Sequence, residues 1–479
     1  MSNKWIVALD QGTSSCRAFA IDSMGKVRAQ KNKIFLPQRP QKGFSSYDAS
    51  KLLAVQMEVL NALLDEIGPS NAAALAVCSQ RSTVVLWDKR TGAPVAPVLT
   101  WEDGRALAES NNAALSQQEV HTQTGLFKTP YFSAPKIAWC LKNCPAAHAA
   151  AEADTLCVAP VASYLIWHLT EGRVFATDPT LAQRTLLWDI QTGSWSEKLC
   201  KAFAVSITSL PCLKSTISDY GSYIYKGVAI PICVCVADQQ AAAVYERLSV
   251  GQAMVNYGTG AFVLYHTGNK LSILPGLLTS VAASKNSDDK QFLLEGPIFA
   301  AGSVLEWLKT KGIDVQYGQL NELAQTATSP VLLLPALGGL GAPFWDYRVQ
   351  VATENVTSRT QSADWIAGVF HAIAARVADI IYYLKENKFA IDSIRVSGGL
   401  STINYLLQTQ ANIIGMPVYK FPETESTVLG AACLAAEWLK WEVFNQPLLP
   451  TPPFSPHVSI QTAQTNYRAW QQFVQRQRR

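Results

Sequence analysis

The chain has 479 residues, of which 48% are hydrophobic and 16% are charged, and its formal net charge is +4. A chain of this length exceeds what one hydrophobic core accommodates, so two domains are expected. The low charge, with basic residues clustered only in the terminal "RQRR", gives no support to nucleic-acid binding. No hydrophobic run approaches the length of a membrane span, and a soluble globular protein is therefore predicted.

The stretch "MSNKWIVALD" combines one lysine with a short apolar run and lacks the small-residue cleavage site of a signal peptide. A cytoplasmic location is therefore expected. Ten cysteines are scattered along the chain. The closest pairs, Cys140 with Cys144 and Cys233 with Cys235, have no Cys or His partners at zinc-binding spacing, so buried free thiols are predicted.

The first half opens with two apolar strands, at 5–9 and 16–22, on either side of a polar loop. A turn then leads into a third strand around Val27–Ile34. Asp48 is a suitable N-cap for the amphipathic helix that follows, and Gly68 ends that helix. This order of elements is typical of an α/β domain.

The second half repeats this opening, because "AMVNYGTGAFVLYHTG" predicts a strand, a Gly-Thr-Gly loop and another strand. Helices and strands then alternate up to the apolar helix "TVLGAACLAAEWL". Two α/β domains of related design are predicted, an N-terminal one over 1–247 and a C-terminal one over 248–479. After a proline-rich arm, "PLLPTPPFSPH", the last residues predict a short basic helix that docks on the protein.

The loop "DQGTSS", which begins at Asp10, joins the first two strands. The backbone N–H groups of a glycine-rich turn and the hydroxyl groups beside them are suitable donors for phosphate oxygens. An acid next to a phosphate is favourable when Mg²⁺ lies between them. The loop therefore indicates a site for nucleotide phosphate and metal, although the same residues also make an ordinary tight hairpin.

A second loop of this kind, Gly258-Thr259-Gly260, occupies the equivalent place in the second half. Two phosphate-binding loops, one in each domain, would face each other across a cleft. The alternative is a pair of unrelated turns, but the matching strands on both sides favour the functional interpretation.

Two further loops follow buried strands. Asp238 ends the strand "CVCVA" and precedes a helix that starts at Gln239. Its carboxylate is suited to accept a proton from a hydroxyl nucleophile, to cap the helix, or to do both. Gly398 and Gly399 in "SGGLST" let a flat ligand such as adenine approach the backbone, although the pattern is also a common strand-to-helix turn.

Three residues in loops or at strand ends are of the types that bind a small polyhydroxy ligand: Arg81, Trp101 and Tyr131. Aromatic rings pack against the CH faces of such a ligand, and a charged group binds its hydroxyls. Taken separately, each of the three is more typical of packing than of ligand binding.

In chain order, these segments resemble the FGGY family of carbohydrate kinases, and its glycerol-kinase branch most closely. The segments that carry the resemblance include "LDQGTSSCRAFAID", "TGLFKTPYFSAPKIAW", "ADQQAAAVYE", "NYGTGAFVLYHTG" and "VSGGLSTINYLLQTQANIIGMPV". The resemblance implies an α/β fold of two ribonuclease-H-like domains around a central cleft, as in actin, heat-shock ATPases and sugar kinases. It also implies an ATP-dependent kinase that phosphorylates a hydroxyl group of a small polyol or sugar.

The resemblance implies roles for individual residues as well. The N-terminal domain would bind the acceptor and the C-terminal domain most of the ATP. Asp238 would be the general base, and Asp10 and Asp238 would hold Mg²⁺. The acceptor would be bound by Arg81, Ser82, Trp101, Tyr131, Asp238, Gln239 and Phe262. The nucleotide would be bound by Gly12, Thr13, Ser14, Arg17, Thr259, Gly260, Gly398 and Gly399.

Two positions depart from the pattern of the resemblance. Glycerol kinases carry Glu directly after the Arg of this loop, where it binds substrate hydroxyls, and here the residue is Ser82. Losing such a hydrogen bond costs about 1–3 kcal/mol, so glycerol would bind weakly unless another group replaces the carboxylate. In the adenosine loop, Ile403 replaces an Asn that can contact the base.

The acceptor therefore stays open between glycerol, tetritols, erythrulose and pentuloses such as ribulose or xylulose. No nucleic-acid or membrane partner is expected, and a homodimer is an open alternative to a monomer. A second class of function is a nucleotide-binding protein without kinase activity, like actin or the heat-shock chaperones. Such a protein need not keep Asp238, Trp101 or Tyr131, and because this chain has all three, a kinase is the preferred interpretation.

Overall fold

The computed structural model describes residues 4–286, 288–421, 425–441 and 452–478. The strands are β1 (Trp5–Gln11), β2 (Ser15–Ile21), β3 (Val27–Ile34), β4 (Ser46–Tyr47), β5 (Ala72–Ser79), β6 (Val84–Asp88), β7 (Val98–Leu99), β8 (Leu156–Pro160), β9 (Ala176–Thr177), β10 (Trp188–Asp189), β11 (Ser194–Trp195), β12 (Cys212–Leu213), β13 (Ser222–Tyr225), β14 (Val228–Ala237), β15 (Ala253–Tyr257), β16 (Ala261–Gly268), β17 (Leu278–Val281), β18 (Phe292–Ile298), β19 (Leu332–Leu334), β20 (Ala352–Glu354), β21 (Ile394–Ser397) and β22 (Val418–Lys420).

The α-helices are α1 (Ala49–Ile67), α2 (Leu107–Asn112), α3 (Gln117–Thr124), α4 (Ser133–Asn143), α5 (Pro145–Glu152), α6 (Val161–Leu169), α7 (Pro179–Ala182), α8 (Glu197–Ala202), α9 (Asp238–Tyr245), α10 (Gly302–Lys309), α11 (Leu320–Gln325), α12 (Ser362–Glu386), α13 (Asn404–Ile414), α14 (Ser426–Trp438) and α15 (Ile460–Gln477). Short 3₁₀ turns lie at Pro69–Asn71, Gln183–Thr185, Ile207–Ser209, Tyr317–Gln319 and Gly399–Thr402.

The chain divides into two compact units, and each is made of more than one stretch of sequence. Unit 1 consists of Met1–Arg247, Thr279–Phe292 and Glu425–Pro447. Unit 2 consists of Leu248–Leu278, Leu293–Thr424 and Leu448–Arg479. The division into domains 1–247 and 248–479 stays a prediction from the sequence, and unit 1 also includes two segments that come after residue 248.

Unit 1 is built on a mixed sheet with the strand order β13-β14-β5-β1-β2-β3. β1 is parallel to β5 and antiparallel to β2, and β5 is parallel to β14. Side chains alternate across β1, so Val7 and Leu9 belong to the core with α1 and α6, while Ile6 and Ala8 belong to the core with α14. The sheet is therefore covered on both faces, as in other α/β folds.

Helix α1 forms where the sequence predicts it. The Asp48 carboxylate accepts a hydrogen bond from the Lys51 N–H at 3.0 Å, which caps the first turn. Gly68 ends the helix with a positive φ of 78°, a backbone conformation that glycine adopts without strain. The predicted helix and its two boundaries are confirmed.

Helix α14 comes late in the chain but packs in unit 1, on α9, β1 and β5. A side chain on Gly430 would collide with the backbone carbonyl of Ala241 in α9, so the two helices approach as closely as they do because this position has no Cβ. The apolar run "TVLGAACLAAEWL" thus completes the core of unit 1 rather than that of unit 2.

Unit 2 contains a second mixed sheet, in which β18, β16, β15, β21 and β22 are successive neighbours. β15 is antiparallel to β16 and parallel to β21, which repeats the pairing of β1 with β2 and β5. The long helix α12 lies in the core of this unit. By length and composition alone α12 could cross a membrane, but 83% of its most apolar window is buried, as expected of a core helix.

The predicted C-terminal helix is α15, and it docks in unit 2. Tyr467 and Trp470 donate hydrogen bonds to the buried Asp379 carboxylate of α12 at 2.9 and 3.0 Å. The docking prediction is therefore confirmed. The predicted proline-rich arm before it lies partly outside the described residues, which end at 441 and resume at 452.

All ten cysteines have free thiols, and seven of them are buried. Cys233 and Cys235 lie in β14, where both are fully buried. The prediction of free rather than disulfide-bonded cysteines is confirmed.

Candidate functional site

The loop between β1 and β2 in unit 1 is held by side chains from two other segments. The Gly12 N–H donates to the Ser15 carbonyl at 3.0 Å, which closes the turn. The Trp101 indole N–H donates to the Thr13 hydroxyl at 2.9 Å, and the Tyr47 hydroxyl donates to the Thr13 carbonyl. Ser14 is fixed through its carbonyl, which accepts a bond from the Phe35 N–H at 2.9 Å. The loop is therefore anchored from outside as well as by its own turn.

At the end of β1, the buried Asp10 is paired with Arg17 of β2. The Arg17 Nε and Nη2 atoms lie 3.0 and 2.6 Å from Asp10 Oδ2, and Arg17 Nη1 lies 2.7 Å from Glu425 Oε2. Burial raises the pKa of Asp10, and the Arg17 charge opposes this rise. Arg17 thus joins an acid of the first strand to an acid that immediately precedes α14.

The segment after β5 is tied to the same loop by Gln80, which the sequence analysis did not single out. Its side-chain amide donates to Gln11 Oε1 at 3.0 Å and to the Gly12 carbonyl at 3.2 Å. The Thr83 hydroxyl in turn donates to Gln80 Oε1 at 2.8 Å. Since Arg81 and Ser82 lie between these two residues, their backbone is fixed relative to the β1–β2 loop.

Asp238 is the first residue of α9, directly after β14, while Ala237 occupies the N-cap position. Its Oδ1 accepts the Gln239 N–H at 2.8 Å and lies 3.7 Å from Arg81 Nε. The Asp238 side chain is 26% exposed, whereas Arg81 is 4% exposed. Burial raises the pKa of Asp238 to about 6 although Arg81 opposes the rise, so the carboxylate takes up a proton more readily than an ordinary Asp.

The position of Asp238 is supported from behind by a second buried acid. The Thr180 hydroxyl accepts the Ala237 N–H at 2.9 Å and donates to Asp178 at 2.8 Å. The Thr216 hydroxyl donates to Asp178 at 2.7 Å. This network fixes the end of β14 and therefore the start of α9.

The predicted aromatic residues lie side by side. The ring centroids of Trp101 and Tyr131 are 5.6 Å apart, and both side chains are half-buried. The backbone N–H of Trp101 donates to the Thr83 hydroxyl at 3.1 Å, which places Trp101 next to the segment that carries Arg81. Such a pair of rings can cover one face of a small polyol.

Ser82 has an unusual environment. Its φ of 61° lies in the left-handed region that non-glycine residues seldom adopt, and the residue is 2% exposed. Its hydroxyl oxygen is buried without a hydrogen-bond partner among the described residues. Its carbonyl accepts a bond from the Lys136 ammonium at 3.1 Å. Ser82 is thus a strained residue with an unused polar atom beside Arg81.

In unit 2, the loop between β15 and β16 is shaped by close backbone packing. The Gly258 N–H donates to the Gly260 carbonyl at 2.8 Å, and the Thr259 carbonyl accepts the N–H of Ser303, near the start of α10, at 3.0 Å. A side chain on Gly260 would collide with the Ile298 carbonyl, and one on Gly302 would lie 2.8 Å from the Gly258 carbonyl. Gly302, which the sequence analysis missed, is therefore part of this loop's packing.

The Gly398-Gly399 turn follows β21 in the same unit. Gly398 has a φ of 85°, and a side chain there would collide with the Tyr257 carbonyl. Gly399 has open space where its side chain would be, and its carbonyl accepts the Tyr317 hydroxyl at 2.6 Å. Ile403, where the resemblance leads one to expect Asn, is buried.

Unit 1 thus brings together most of the predicted site residues: Asp10, Gly12, Thr13, Ser14, Arg17, Arg81, Ser82, Trp101, Tyr131, Asp238 and Gln239. Unit 2 contains the others: Thr259, Gly260, Phe262, Gly398 and Gly399. Phe262 lies on β16 opposite Asn256 of β15, next to the Gly258–Gly260 loop.

Asp10 and Asp238 of unit 1 are suitable ligands for a divalent cation whose remaining ligands are phosphate oxygens and water. The charge of Asp10 contributes to the raised pKa of Asp238. Arg17 occupies only Oδ2 of Asp10. Among the described residues, no cluster of three His, Cys, Asp or Glu side chains forms a complete metal site. One or two carboxylates completed by phosphate oxygens and water are the usual protein ligands of Mg²⁺.

Comparison with known proteins identifies the family. Residues 5–244 match the N-terminal domain, and residues 253–437 the C-terminal domain, of the FGGY family of carbohydrate kinases. A glycerol kinase of Shewanella frigidimarina is 35% identical over 98% of this chain and 97% of its own length. A glycerol kinase of Treponema denticola is 34% identical over 99% of both chains.

Solved structures agree with this match. The ADP-bound glycerol kinase of Plasmodium falciparum superimposes with a TM-score of 0.91 at 26% identity, covering 99% of this chain and 98% of its own. A xylulose kinase of Lactobacillus acidophilus, at 21% identity, shares the fold with a TM-score of 0.87 over 98% of this chain and 97% of its own. The predicted two-domain sugar-kinase fold is confirmed, and the alternative of a nucleotide-binding protein without kinase activity finds no support. The chain belongs to the FGGY family of carbohydrate kinases and is an ATP-dependent kinase of a polyol or carbohydrate.

Proposed function

We propose that this chain transfers the γ-phosphoryl group of Mg·ATP to a hydroxyl group of a small polyol or ketose, with Asp238 as the general base. The observation that carries the proposal is the pairing of Asp238 with Arg81, at 3.7 Å, where a buried strand ends. A partly exposed carboxylate beside a buried guanidinium can accept a proton from a bound hydroxyl and remain oriented. In this proposal residues 1–247 supply most of the acceptor contacts and residues 248–479 most of the nucleotide contacts.

The residues proposed to bind the acceptor are Arg81, Ser82, Trp101, Tyr131, Asp238 and Gln239 in unit 1 and Phe262 in unit 2. Asp238 removes the proton from the acceptor hydroxyl as its oxygen attacks the γ-phosphorus in line. The bond from phosphorus to the β–γ bridging oxygen breaks, and ADP leaves. Positioning of the reactants and neutralisation of the phosphate charge supply most of the rate acceleration.

Donors for the phosphate oxygens of ATP are proposed in the glycine-containing loop of each unit. Gly12, Thr13, Ser14 and Arg17 supply donors from unit 1, and Thr259 and Gly260 supply donors from unit 2. The adenosine lies against Gly398 and Gly399. The bound ADP in the Plasmodium relative supports the use of ATP.

Mg²⁺ fits this scheme as a cation held by Asp10 and Asp238 and completed by phosphate oxygens. When bound, it neutralises the charge of the transferred group. Arg17 fixes the Asp10 carboxylate for this role through its two bonds to Oδ2. We also propose a cytoplasmic location, and we leave a homodimer as an alternative to a monomer.

Glycerol and a longer acceptor are the two candidate substrates. The names of the most similar relatives favour glycerol. Ser82 favours a longer tetritol or ketose, because a shorter, neutral side chain stands where the resemblance leads one to expect a carboxylate.

The substitution Asp238→Asn tests the proposal. We expect the turnover number to fall at least about 100-fold, because an amide cannot take up the proton. Calorimetric titration without Mg²⁺ should show unchanged binding of a non-hydrolysable ATP analogue, because Asp238 is proposed to reach the nucleotide only through the metal. Asp219→Asn, at an exposed acid of the same unit, is the matched control and should keep full activity. Full activity of the Asp238→Asn variant would contradict the assignment of the base.

A further inference from the structure

Lys136 is a buried lysine in the N-terminal half of α4. Its exposed fraction is 0%. Its ammonium donates two hydrogen bonds, both to backbone carbonyls, at 2.6 Å to Tyr131 and at 3.1 Å to Ser82. Among the described residues, no carboxylate lies within ion-pair distance of it. The ammonium is therefore hydrogen-bonded by backbone carbonyls and, within the described part of the chain, not by a carboxylate.

Both carbonyls belong to residues of the proposed acceptor pocket. Tyr131 precedes α4 and packs its ring against Trp101. Ser82 is adjacent to Arg81 and has the strained φ of 61°. The two residues are 49 positions apart in the sequence, and Lys136 joins their backbones through one ammonium group.

Stability alone does not account for an ammonium in this place. Taking a lysine charge out of water is unfavourable, and an apolar side chain of the same length often serves a buried position at least as well. The bonds that Lys136 makes are charge-assisted, and such bonds are roughly twice as strong as neutral ones. These two bonds fix the distance between the Ser82 and Tyr131 backbones.

We propose that Lys136 is a positioning residue, whose ammonium holds the backbones of Ser82 and Tyr131 in the geometry that binds the acceptor. The inference rests on the proposed function, because it concerns the same pocket. Lys136 does not touch the reacting atoms. It acts through the carbonyls of two residues that line the pocket.

The proposal has a consequence for pH dependence. Burial lowers the pKa of Lys136 to about 7, although the nearby Asp103 and Cys140 oppose this shift. The ammonium is therefore present below pH 7 and becomes a neutral amine above it. Because the neutral amine makes weaker bonds to the two carbonyls, acceptor affinity should fall as the pH rises through 7.

The neighbouring groups must be separated from this effect. Asp103 is paired with Arg105 at 2.8 Å. Cys140 stays a neutral thiol, since its bond with Cys144 and burial raise its pKa. The bond from Cys140 lowers the pKa of Cys144 to about 7, so this thiol titrates in the same range. Cys144→Ser is therefore an essential control.

The test compares the full-length protein with Lys136→Met, which removes the charge and keeps the length. Steady-state rates are measured with Mg·ATP and two acceptors, glycerol and erythrulose, from pH 6 to 8.5. At pH 6.5 we expect the acceptor KM of Lys136→Met to rise roughly tenfold, with kcat and the KM for ATP within threefold of the unsubstituted protein. The unsubstituted protein and Cys144→Ser should show a rising acceptor KM above pH 7, and Lys136→Met should not.

Lys128→Met is the matched structural control. Lys128 also donates to two carbonyls, those of Leu115 and Ala113, at 2.8 and 3.4 Å, and neither of these is a residue of the proposed pocket. It should leave every kinetic constant unchanged. The positioning role would be overturned by an unchanged acceptor KM in Lys136→Met, or by a rise of its acceptor KM with pH. It would also be overturned if the KM values for the acceptor and for ATP rose together while thermal stability fell.

Two results separate this inference from the proposed function. No turnover by the unsubstituted protein with any acceptor would contradict the proposed function itself. Turnover that is insensitive to Lys136→Met would contradict only the positioning role. If Lys136→Met does not fold, a flat acceptor KM between pH 6 and 8.5 in the unsubstituted protein overturns the inference.

Discussion

The two loops that open the two units have the same topology but are stabilised differently. The β1–β2 loop of unit 1 is held by side chains, through the ion pair of Arg17 with Asp10 and the bond from Trp101 to Thr13. The β15–β16 loop of unit 2 is held by backbone contacts that leave no space for a Cβ at Gly260. Substitutions in the β1–β2 loop should therefore have intermediate effects, because a different side chain can still occupy each of these positions. At Gly260 of the β15–β16 loop, almost any substitution should disturb the backbone.

The largest effect is therefore expected at the loop of unit 2. Gly260→Ala places a methyl group against the Ile298 carbonyl, and we expect the affinity for an ATP analogue to fall at least tenfold as the loop shifts. Gly318→Ala, where the space is open and no role is assigned, is the matched control in unit 2 and should bind the analogue normally. Calorimetric titration measures both. Equal affinities in the two variants would show that the packing of Gly260 does not govern this loop.

A moderate effect is expected at the ion pairs of unit 1. Arg17→Gln leaves the buried Asp10 without its cation, and we expect the free energy of unfolding to fall by about 1–3 kcal/mol. Glu425→Gln removes only the more exposed pair and should cost less than about 1 kcal/mol. Urea denaturation at pH 7 compares them. A larger loss of unfolding free energy in Glu425→Gln than in Arg17→Gln would contradict the expectation that the more buried ion pair contributes more to stability.

The smallest and most informative change is at Ser82. Ser82→Glu restores the carboxylate that the resemblance leads one to expect, and the KM for glycerol should fall roughly tenfold while kcat is retained. Ser82→Ala removes a hydroxyl that has no partner and should change the KM little. Acceptor kinetics with glycerol and with erythrulose distinguish the two. A KM for glycerol that rises in Ser82→Glu would mean that the pocket uses Ser82 itself.

The fold was largely predictable from local patterns. The strand–loop–strand openings, the capped helix after Asp48 and the strand before Asp238 all have strong short-range signals, and all are present. The assignment of α14 to unit 1 was not predictable in this way. Its partner α9 lies almost 200 residues earlier in the chain, and the close approach depends on one glycine, Gly430, that no local pattern distinguishes.

The residues of the candidate site also divide into those that local sequence patterns predict and those that depend on long-range contacts. Asp10, Asp238 and the glycine loops follow from motifs, because phosphate binding and proton transfer require particular residue types next to strand ends. Gln80 and Lys136 were missed, since their roles come from bonds to distant backbone atoms. A charged residue in the otherwise apolar "SAPKIAWCL" was the one available signal for Lys136. Ser82 was singled out only through the resemblance, because a serine in a loop is not by itself a sign of a binding site.

The most direct test of the account is the rate of ADP release from Mg·ATP, measured with and without glycerol, erythritol, erythrulose, ribulose or xylulose, in the unsubstituted protein and in Asp238→Asn. The account predicts ADP release that depends on at least one acceptor, is matched by formation of its phosphate ester, and is lost in Asp238→Asn. Acceptor-independent release, or equal rates in the two proteins, would contradict it.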